Sequence, residues 1–211
     1  VRRLAPHELP PGYAAGFEID GFIIEPPRYL GWLTERLRGD GVEVTAGQVS
    51  DLAEVEGDLI VNCAGLAARE LVDDTTMFAI RGQVVAVDAA NINDGIADES
   101  DLDRVRYVYP RSTEVILGGA RQTNNEDLSP DDELTRRIMA DAAVLDPRVA
   151  NAHVLDVRVG LRPGRPQVRV EADRLPDGRP VLHNYGHSGA GFLLSWGCAG
   201  DVVELADPFE R

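Results

Sequence analysis

The sequence predicts a mixed α/β (α+β) fold, in which a layered α/β part is interleaved with an antiparallel or mixed β-sheet. Three patterns lead to this prediction. A helical pattern precedes a buried strand bounded by Gly57 and Gly65, and β-branched runs separated by turn residues fill residues 83–117. The last strand then leads through a glycine-rich turn into a helix, so helix and strand patterns alternate at both ends of the chain.

The first elements are a helix and two short strands. Leucines spaced by three and four residues over 30–37 mark one face of a three-turn helix that ends at Gly39. Val42–Thr45 alternates apolar and polar residues as a short strand does, and Asp58–Asn62 is typical of a buried strand.

The middle of the chain predicts antiparallel strands. Gln83–Val87, Val105–Tyr109 and Glu114–Leu117 are rich in β-branched or aromatic residues, and turn residues around Arg111 indicate a hairpin between the last two. Residues 88–104 are acidic and weakly periodic, which predicts a mobile loop and leaves open a lid over a site.

A second long helix begins near Ser129. A hydroxyl at the N-cap, a proline at the first helical position and acids in the first turn are strong start signals. Leu134, Ile138, Ala142 and Leu145 then form the face that we expect to be buried.

The C-terminal part predicts three strands and a helix. Val154–Leu161 and Gln167–Val170 alternate apolar and charged residues as half-buried strands do. Val181–Tyr185 is the last strand, and Gly191–Ala206 is the helix that follows the glycine-rich turn.

Composition excludes several classes of function. All 21 basic residues are arginines and the net charge is −15, which argues against a nucleic-acid partner. Without lysine there is no pyridoxal-phosphate Schiff base and no P-loop. No apolar run reaches the roughly 20 residues that span a bilayer, so we expect no membrane insertion. Two cysteines, Cys63 and Cys198, are too few for a disulfide scaffold, so we expect a reducing compartment, although the two could still pair. Phe209-Glu210-Arg211 is not a peroxisomal Ser-Lys-Leu signal, so the cytoplasm is the expected location.

The turn 184–192 is the most informative segment. Four small residues at 188–191 allow backbone to approach a planar ligand, and the N-terminus of the following helix favours negative charge. Cofactor contact and a tight structural turn are both open interpretations.

Two arginines lie three residues apart in the segment 160–166. Arg162 and Arg165 each precede a proline, which holds the backbone extended and gives each guanidinium a fixed direction. Such groups suit bidentate recognition of a carboxylate, although ion pairs within this acid-rich chain are the alternative, above all for Arg165.

Other polar residues are weaker candidates. Tyr107 and Tyr109 lie on one strand face and could offer a hydroxyl, although most strand tyrosines are simply packed. His183 and His187 flank a turn without the ligands that would complete a zinc site, so we expect no metal. Cys63 could be reactive, but a small buried residue near a cofactor is the favoured interpretation.

Six segments resemble the D-amino-acid oxidase family of flavoenzymes, in the same order and spacing over nearly the whole chain. They are Tyr29-Leu30-x-Trp32-Leu33-Thr34-Glu35-Arg36-Leu37, Val61-Asn62-Cys63-Ala64-Gly65, Arg81-Gly82-Gln83, Gly160-Leu161-Arg162-Pro163-x-Arg165-Pro166-x-Val168-Arg169-x-Glu171, His183-Asn184-Tyr185-Gly186-His187-x-Gly189-x-Gly191 and Trp196-Gly197-Cys198-Ala199. The resemblance implies FAD-dependent oxidation of a D-amino acid, with oxygen reduced to hydrogen peroxide and with a 2-oxo acid and ammonia as final products.

The resemblance also implies roles for single residues. Arg162 resembles the arginine that binds the substrate carboxylate, Tyr107 the tyrosine that joins it, and Gly189 the glycine whose carbonyl accepts from the substrate amine. The cofactor contacts it implies are Val49, Ala64, Ser188, Gly189, Ala190, Gly191, Phe192 and Leu193. No acid/base residue is implied, so catalysis would come from positioning the substrate for hydride transfer from Cα to the flavin.

The resemblance implies a domain division as well. It predicts a partial, Rossmann-like FAD-binding domain from 28–72 and 178–211, interleaved with a substrate-binding domain from 1–27 and 73–177. The Gly-x-Gly-x-x-Gly segment with which family members begin is absent, and the chain starts with Val rather than Met. We therefore expect a processed chain or a fragment, with a complementary N-terminal segment or a homodimer as possible partners.

Three alternatives remain open from the sequence. D-aspartate oxidase shares the scaffold and needs one more basic group, for which Arg104 and Arg106 are candidates. A non-catalytic half-enzyme is the second. A glycine or sarcosine oxidase is the third, and it is less favoured because the segments at 160–166 and 183–187 match D-amino-acid oxidases more closely. Asp103 stands where mammalian members have a tyrosine that covers the pocket, which permits a different lid and bulkier or basic substrates.

Overall fold

The structure is a computed structural model that describes residues 1–88, 91–101 and 104–209. Its α-helices are α1 (Pro26–Gly39), α2 (Ala68–Leu71), α3 (Asp132–Leu145) and α4 (Gly191–Ala206). Its strands are β1 (Arg2–Arg3), β2 (Phe17–Glu18), β3 (Ile60–Asn62), β4 (Phe78–Asp88), β5 (Ile96–Asp98), β6 (Arg106–Pro110), β7 (Val115–Gly118), β8 (Gln122–Thr123), β9 (His153–Gly164), β10 (Arg169–Arg174) and β11 (Pro180–Tyr185). The predicted mixed α/β fold is confirmed.

The chain forms two compact units. Unit 1 comprises Val1–Ala46, Gly82–Arg121 and Ser129–Val159, and unit 2 comprises Gly47–Arg81, Gln122–Leu128 and the part that begins at Gly160. Residues 28–46 therefore group with unit 1 and residues 160–177 with unit 2, a different division from the one that the sequence predicts. The assignment of cofactor and substrate to particular segments stays a prediction.

Unit 1 is built on an antiparallel sheet. Its strands follow the order β5, β6, β7 and β4, and β6 and β7 form the predicted hairpin. The Arg111 N–H donates to the Glu114 carbonyl across the turn at 2.8 Å. This hairpin fixes the register of β6, in which Tyr107 lies opposite Gly118.

Helix α3 closes the core of unit 1. Leu134, Ile138, Ala142 and Leu145 are buried with valines of β4, β6 and β7, as the helical spacing predicts. These apolar side chains leave water together, which supplies the main stabilising contribution to this unit.

The start of α3 differs from the prediction. Its N-cap is Asp131 rather than Ser129, and the Asp131 carboxylate accepts from the Leu134 N–H at 2.9 Å. The amide of the fully buried Gln83 accepts from the Asp131 N–H and donates to the Asp131 carbonyl, both at 2.9 Å. A partner from β4 thus selects the cap, and the prediction of Ser129 is wrong.

Three other local predictions are also wrong. Val42–Thr45 is not a strand in the structure, since a strand needs a hydrogen-bonded neighbour and no described strand pairs with it. The expected loop 88–104 contains β5, whose Ile96 pairs with Val108 of β6. The strand expected at Gln167–Val170 begins later, as β10, because its register follows β11. Asp103 and the C-terminal Glu210 and Arg211 lie outside the described residues.

Unit 2 contains a three-stranded mixed sheet. Strand β11 lies in its centre, antiparallel to β10 and parallel to β3. Leu52, Ile60 and Val181 form a small buried cluster. Helix α4 follows β11 after a short turn, with the bounds that the sequence predicts. Within the described residues, no helix combines the length and the apolar character that crossing a membrane requires.

Candidate functional site

The glycine-rich turn after β11 has an unusual backbone. Gly186 and Ser188 have φ values of +84° and +52°, in the left-handed region where glycine is favoured and serine is uncommon. The Ala190 N–H donates to the His187 carbonyl at 2.9 Å and closes the turn. Helix α4 then begins at Gly191.

The N-terminus of α4 is suited to contact with a ligand. Its N-cap residue, Ala190, has no polar side chain, so it makes no capping hydrogen bond to the first N–H groups of the helix. Phe192 and Leu193 have exposed fractions of 40% and 85%. The segment therefore combines exposed apolar side chains with the positive end of a helix dipole, which stabilises negative charge on a neighbouring group.

Arg162 lies beside this turn. The Ser188 N–H donates to the Pro163 carbonyl at 2.8 Å, which ties the turn to the end of β9. A methyl group at Gly189 would lie 3.7 Å from Cδ of Arg162 and 4.0 Å from its Nε. The structure thus brings together Arg162, Ser188 and Gly189, which the sequence predicts as parts of one site.

Arg165 has a different environment from Arg162. Its Nε donates to Oδ2 of Asp74 at 2.9 Å, and its Nη1 donates to the Gln167 carbonyl at 2.8 Å. The interpretation of Arg165 as an ion-pair residue is therefore confirmed. The two arginines of the motif thus have different environments, and of the two it is Arg162 that lies beside Gly189.

Ala64 is held by a buried polar chain. The Ala64 N–H donates to Oδ1 of Asn62 at 3.1 Å, and Nδ2 of Asn62 lies 3.3 Å from Nδ1 of His183. Burial, with Arg169 adding to it, lowers the pKa of His183, which favours the neutral ring that can accept from Asn62. The parallel pairing of β3 with β11 places Asn62 opposite His183 and so positions Ala64.

Val49 and Cys63 are less constrained. Val49 lies in an irregular segment of unit 2 with 48% of its surface exposed. Cys63 is an exposed free thiol, so the prediction of a small buried residue is wrong. It follows β3, where the chain has left the sheet that buries Ile60 and Asn62.

Tyr107 belongs to unit 1. Its ring stacks on Tyr109 with centroids 4.6 Å apart and an interplanar angle of 18°, which confirms that both lie on one strand face. The ring also lies over Gly118 and Gly119, since a methyl group at Gly119 would be 3.0 Å from Cε1 of Tyr107. Gly118, the last residue of β7, and Gly119, which follows it, have no side chains and so leave the space that the ring occupies.

Arg104 and Arg106 already have acidic partners. Arg104 binds both carboxylate oxygens of Asp141, at 2.5 and 3.1 Å. Arg106 lies 2.7 Å from Asp98, and its guanidinium stands over the ring of Tyr13. Neither side chain is therefore a spare cation for a second substrate carboxylate.

The residues of unit 2 fit one end of a flavin. Gly189 keeps side-chain atoms out of the space beside Arg162, and the uncapped start of α4 favours the negative charge of a reduced ring. The sequence has no Gly-x-Gly-x-x-Gly segment to hold the pyrophosphate. The contact of Ser188–Leu193 with the flavin ring stays a prediction.

The sequence reasoning missed Asp74 and Tyr185. Asp74 accepts hydrogen bonds from Tyr185 and Arg165, and from the backbone and hydroxyl of Thr76. An aspartate followed two residues later by threonine is a recognisable turn pattern, but nothing local indicates the partners from distant strands. Among the described residues, no three His, Cys, Asp or Glu side chains form a group that could hold a metal ion.

Comparison with known proteins gives consistent results. Residues 1–205 match the family described as DAO, FAD dependent oxidoreductase. The D-amino-acid oxidase of Rubrobacter xylanophilus is 42% identical over 207 residues, covering 97% of this chain and 64% of the relative. The D-aspartate oxidase of Homo sapiens is 38% identical over 200 residues, covering 92% and 58%. The chain thus spans about three fifths of the length of these curated relatives.

Solved structures share the fold at low sequence identity. Glycine oxidase from Geobacillus kaustophilus has a TM-score of 0.61 at 19% identity and covers 71% of this chain and 41% of its own. A modified fructosyl peptide oxidase from Aspergillus nidulans has a TM-score of 0.66 at 13% identity and covers 86% and 54%.

Proposed function

The chain belongs to the DAO family of FAD-dependent oxidoreductases, and from this premise we propose that it carries the substrate-binding and flavin-facing residues of a D-amino-acid oxidase. The reaction converts a D-amino acid, oxygen and water into a 2-oxo acid, ammonia and hydrogen peroxide. Bound FAD would supply a two-electron acceptor for the hydride from Cα of the substrate, with oxygen as the final acceptor.

The single observation that carries the proposal is the position of Arg162 beside Gly189, where an added methyl group would lie 3.7 Å from Cδ of Arg162. Arg162 binds the α-carboxylate of the amino acid, for which its planar guanidinium offers two parallel N–H donors. The carbonyl of Gly189 accepts from the substrate amine. Two neighbouring segments of unit 2, the end of β9 and the turn after β11, thereby hold two of the four groups on Cα, which limits how the Cα–H bond can be presented.

The remaining residues act by orientation and electrostatics. Phe192 and Leu193 supply apolar contact surface for the ring, and the α4 dipole stabilises the charge that the ring gains. For Tyr107, which belongs to the other unit, a role in binding the carboxylate rests on the resemblance. Val49 and Ala64 are proposed as further contacts of the cofactor.

D-Aspartate oxidase is the less favoured activity. It needs a second cation, and the acidic partners of Arg104 and Arg106 argue against either of them in that role. The similarity to the human D-aspartate oxidase concerns the scaffold that both activities share. Neutral D-amino acids are therefore the first substrates to test.

The decisive experiment is an anaerobic titration of the full-length, FAD-loaded protein, followed by its visible spectrum. D-Alanine should bleach the flavin band, and D-arginine and D-aspartate then rank the side-chain preference. L-Alanine is the control and should leave the band unchanged. A flavin that no D-amino acid reduces would contradict the proposed activity, and a protein that takes up no FAD would contradict the cofactor assignment.

Two further properties belong to the same proposal. Oxygen consumption with peroxide release should accompany turnover. A cytoplasmic location is supported by the free thiols of Cys63 and Cys198, which are typical of a reducing compartment. Assembly with a complementary N-terminal segment or as a homodimer stays a prediction.

A further inference from the structure

A buried carboxylate collects four hydrogen bonds below the candidate site. Oδ2 of Asp74 accepts from Nε of Arg165 and from the Tyr185 hydroxyl, both at 2.9 Å. Oδ1 accepts from the backbone N–H of Thr76 at 3.0 Å and from its hydroxyl at 2.5 Å. Arg169 in turn donates to the Tyr185 hydroxyl at 2.7 Å. The surface of Asp74 is only 8% exposed and that of Tyr185 only 1%.

The cluster is held as a charged unit. Burial alone would oppose ionisation of Asp74, but the hydrogen bonds from Thr76, Tyr185 and Arg165 outweigh it and hold its pKa well below the usual range. Removing one partner leaves a buried charge with an unsatisfied bond, so the members depend strongly on one another.

Arg165 connects this cluster to the turn. A methyl group at Gly186 would lie 2.8 Å from Cβ of Arg165 and 2.9 Å from its Cδ, so the arginine stem packs directly on the backbone of Gly186. Tyr185 is the residue before Gly186 in the chain. The first residues of the turn are therefore held from both sides by groups bound to Asp74.

The turn is also attached through its backbone to the segment 162–165. The Ser188 N–H binds the Pro163 carbonyl, one residue after Arg162. The segment 162–165 thus contacts the turn twice, through backbone at Ser188 and through the Arg165 side chain at Gly186. Displacement of either contact would move Gly189 relative to Arg162.

We propose that Asp74, Arg165 and Tyr185 form a positioning cluster, which sets the distance between Arg162 and the backbone of the 186–191 turn and thereby the binding of substrate and flavin. The proposal rests on the proposed function for the identity of the ligands. None of the three side chains needs to touch substrate or cofactor. Their effect passes through Gly186 to Ser188 and Gly189.

A purely stabilising role is the competing explanation, and unit 2 offers a matched control. Arg179 has a side chain with 25% exposure, against 20% for Arg165, and pairs with Asp177 at 2.7 Å. It also binds backbone carbonyls, among them that of Ala53 at 2.6 Å. None of the hydrogen-bond partners that the structure describes for Arg179 belongs to the turn, so Arg179→Met removes an ion pair away from the site. The exposure of the two arginines is matched, whereas the Asp177 side chain is 41% exposed against 6% for Asp74.

The test compares Arg165→Met with Arg179→Met in the full-length, FAD-loaded protein. Four quantities are measured: the thermal midpoint, the dissociation constant of FAD, and kcat and KM for D-alanine. Arg165→Met should lower kcat/KM by about a hundredfold and weaken FAD binding by about tenfold, because a displacement of about 1 Å at a reacting centre has effects of that order. Arg179→Met should lower the thermal midpoint with little change in the dissociation constant of FAD or in kcat/KM for D-alanine.

A conservative variant gives a second readout. Arg165→Lys keeps a cation for Asp74 but cannot also reach the Gln167 carbonyl, so its kcat/KM should fall between those of Arg165→Met and the wild type. If Arg165→Met does not fold, Asp74→Asn replaces it. This variant should also lose more kcat/KM and more FAD affinity than the control Arg179→Met. If the Arg165 and Arg179 variants have equal dissociation constants for FAD and equal kcat/KM for D-alanine, the proposal is overturned.

The two proposals fail in different ways. A wild-type holoprotein that binds FAD but oxidises no D-amino acid refutes the proposed function. The comparison of FAD affinity between the Arg165 and Arg179 variants still tests the cluster in that case, because it does not depend on turnover.

Discussion

Replacing Gly118 by alanine tests whether Tyr107 depends on its contact with β7. The added methyl carbon would lie 2.5 Å from Cε2 of Tyr107 and closer still to the hydroxyl end of the ring. Carbon atoms in contact are normally about 3.5–4.0 Å apart, so the ring has to move by about 1 Å or more. The register of β6 with β7, which pairs Tyr107 with Gly118, leaves the ring little room to do so.

The magnitude follows from this overlap. Overpacking of this kind costs about 1–3 kcal/mol, of which the lower conformational entropy of an unfolded alanine chain offsets about 0.5–1 kcal/mol. We expect Gly118→Ala to lower the free energy of unfolding by about 1–2 kcal/mol. Gly160→Ala in β9 is the control, since a methyl group there would meet nothing within 4 Å. It should be neutral or slightly stabilising.

The assay is urea unfolding followed by circular dichroism, in a double-mutant cycle with Tyr107→Ala. Once the ring is absent, the methyl group at position 118 has space, so the two substitutions should be coupled by about 1 kcal/mol or more. In the FAD-loaded protein, Gly118→Ala should also raise KM for D-alanine. Additive free energies for Gly118→Ala and Tyr107→Ala, within about 0.5 kcal/mol, would refute the reasoning.

Three further predictions concern the site, the core and the response to acid. Arg162→Lys keeps the charge but loses the two parallel donors, so KM for D-alanine should rise at least about tenfold while the flavin spectrum stays unchanged. Ile138→Ala should lower the free energy of unfolding by about 2–5 kcal/mol in urea, whereas Val144→Ala at an exposed position of the same helix should change it by about 0.5 kcal/mol or less. Hydrogen bonds led by those of Ser100 lower the pKa of Asp98 to about 2, so its contribution of about 2 kcal/mol is present above about pH 4 and lost as the pH falls towards 2. Asp98→Asn should remove this part of the pH dependence of stability. An acid unfolding curve equal to that of the wild type would contradict this prediction.

Local patterns were sufficient for most helices and strands. The spacing of Leu134, Ile138, Ala142 and Leu145 predicts the buried face of α3, because side chains three and four residues apart lie on one side of a helix. The start of that helix was missed, since Gln83 on a distant strand selects Asp131 as the cap. The strand β5 was missed for a similar reason, as its pairing with β6 outweighs a weak local pattern.

The site divides in the same way. The motif residues alone indicate Arg162, Ser188 and Gly189 and the family to which the chain belongs, because the prolines and glycines that surround them restrict the backbone locally. The different environments of Arg162 and Arg165 follow only from folding, since Asp74, the partner of Arg165, is 91 residues away from it in the chain. The bonds of Asp74 to Arg165 and Tyr185 join residues that are remote in sequence, and periodicity carries no information about such pairs. Backbone restriction is local and can be deduced from the residues, whereas the choice of partners depends on the tertiary fold.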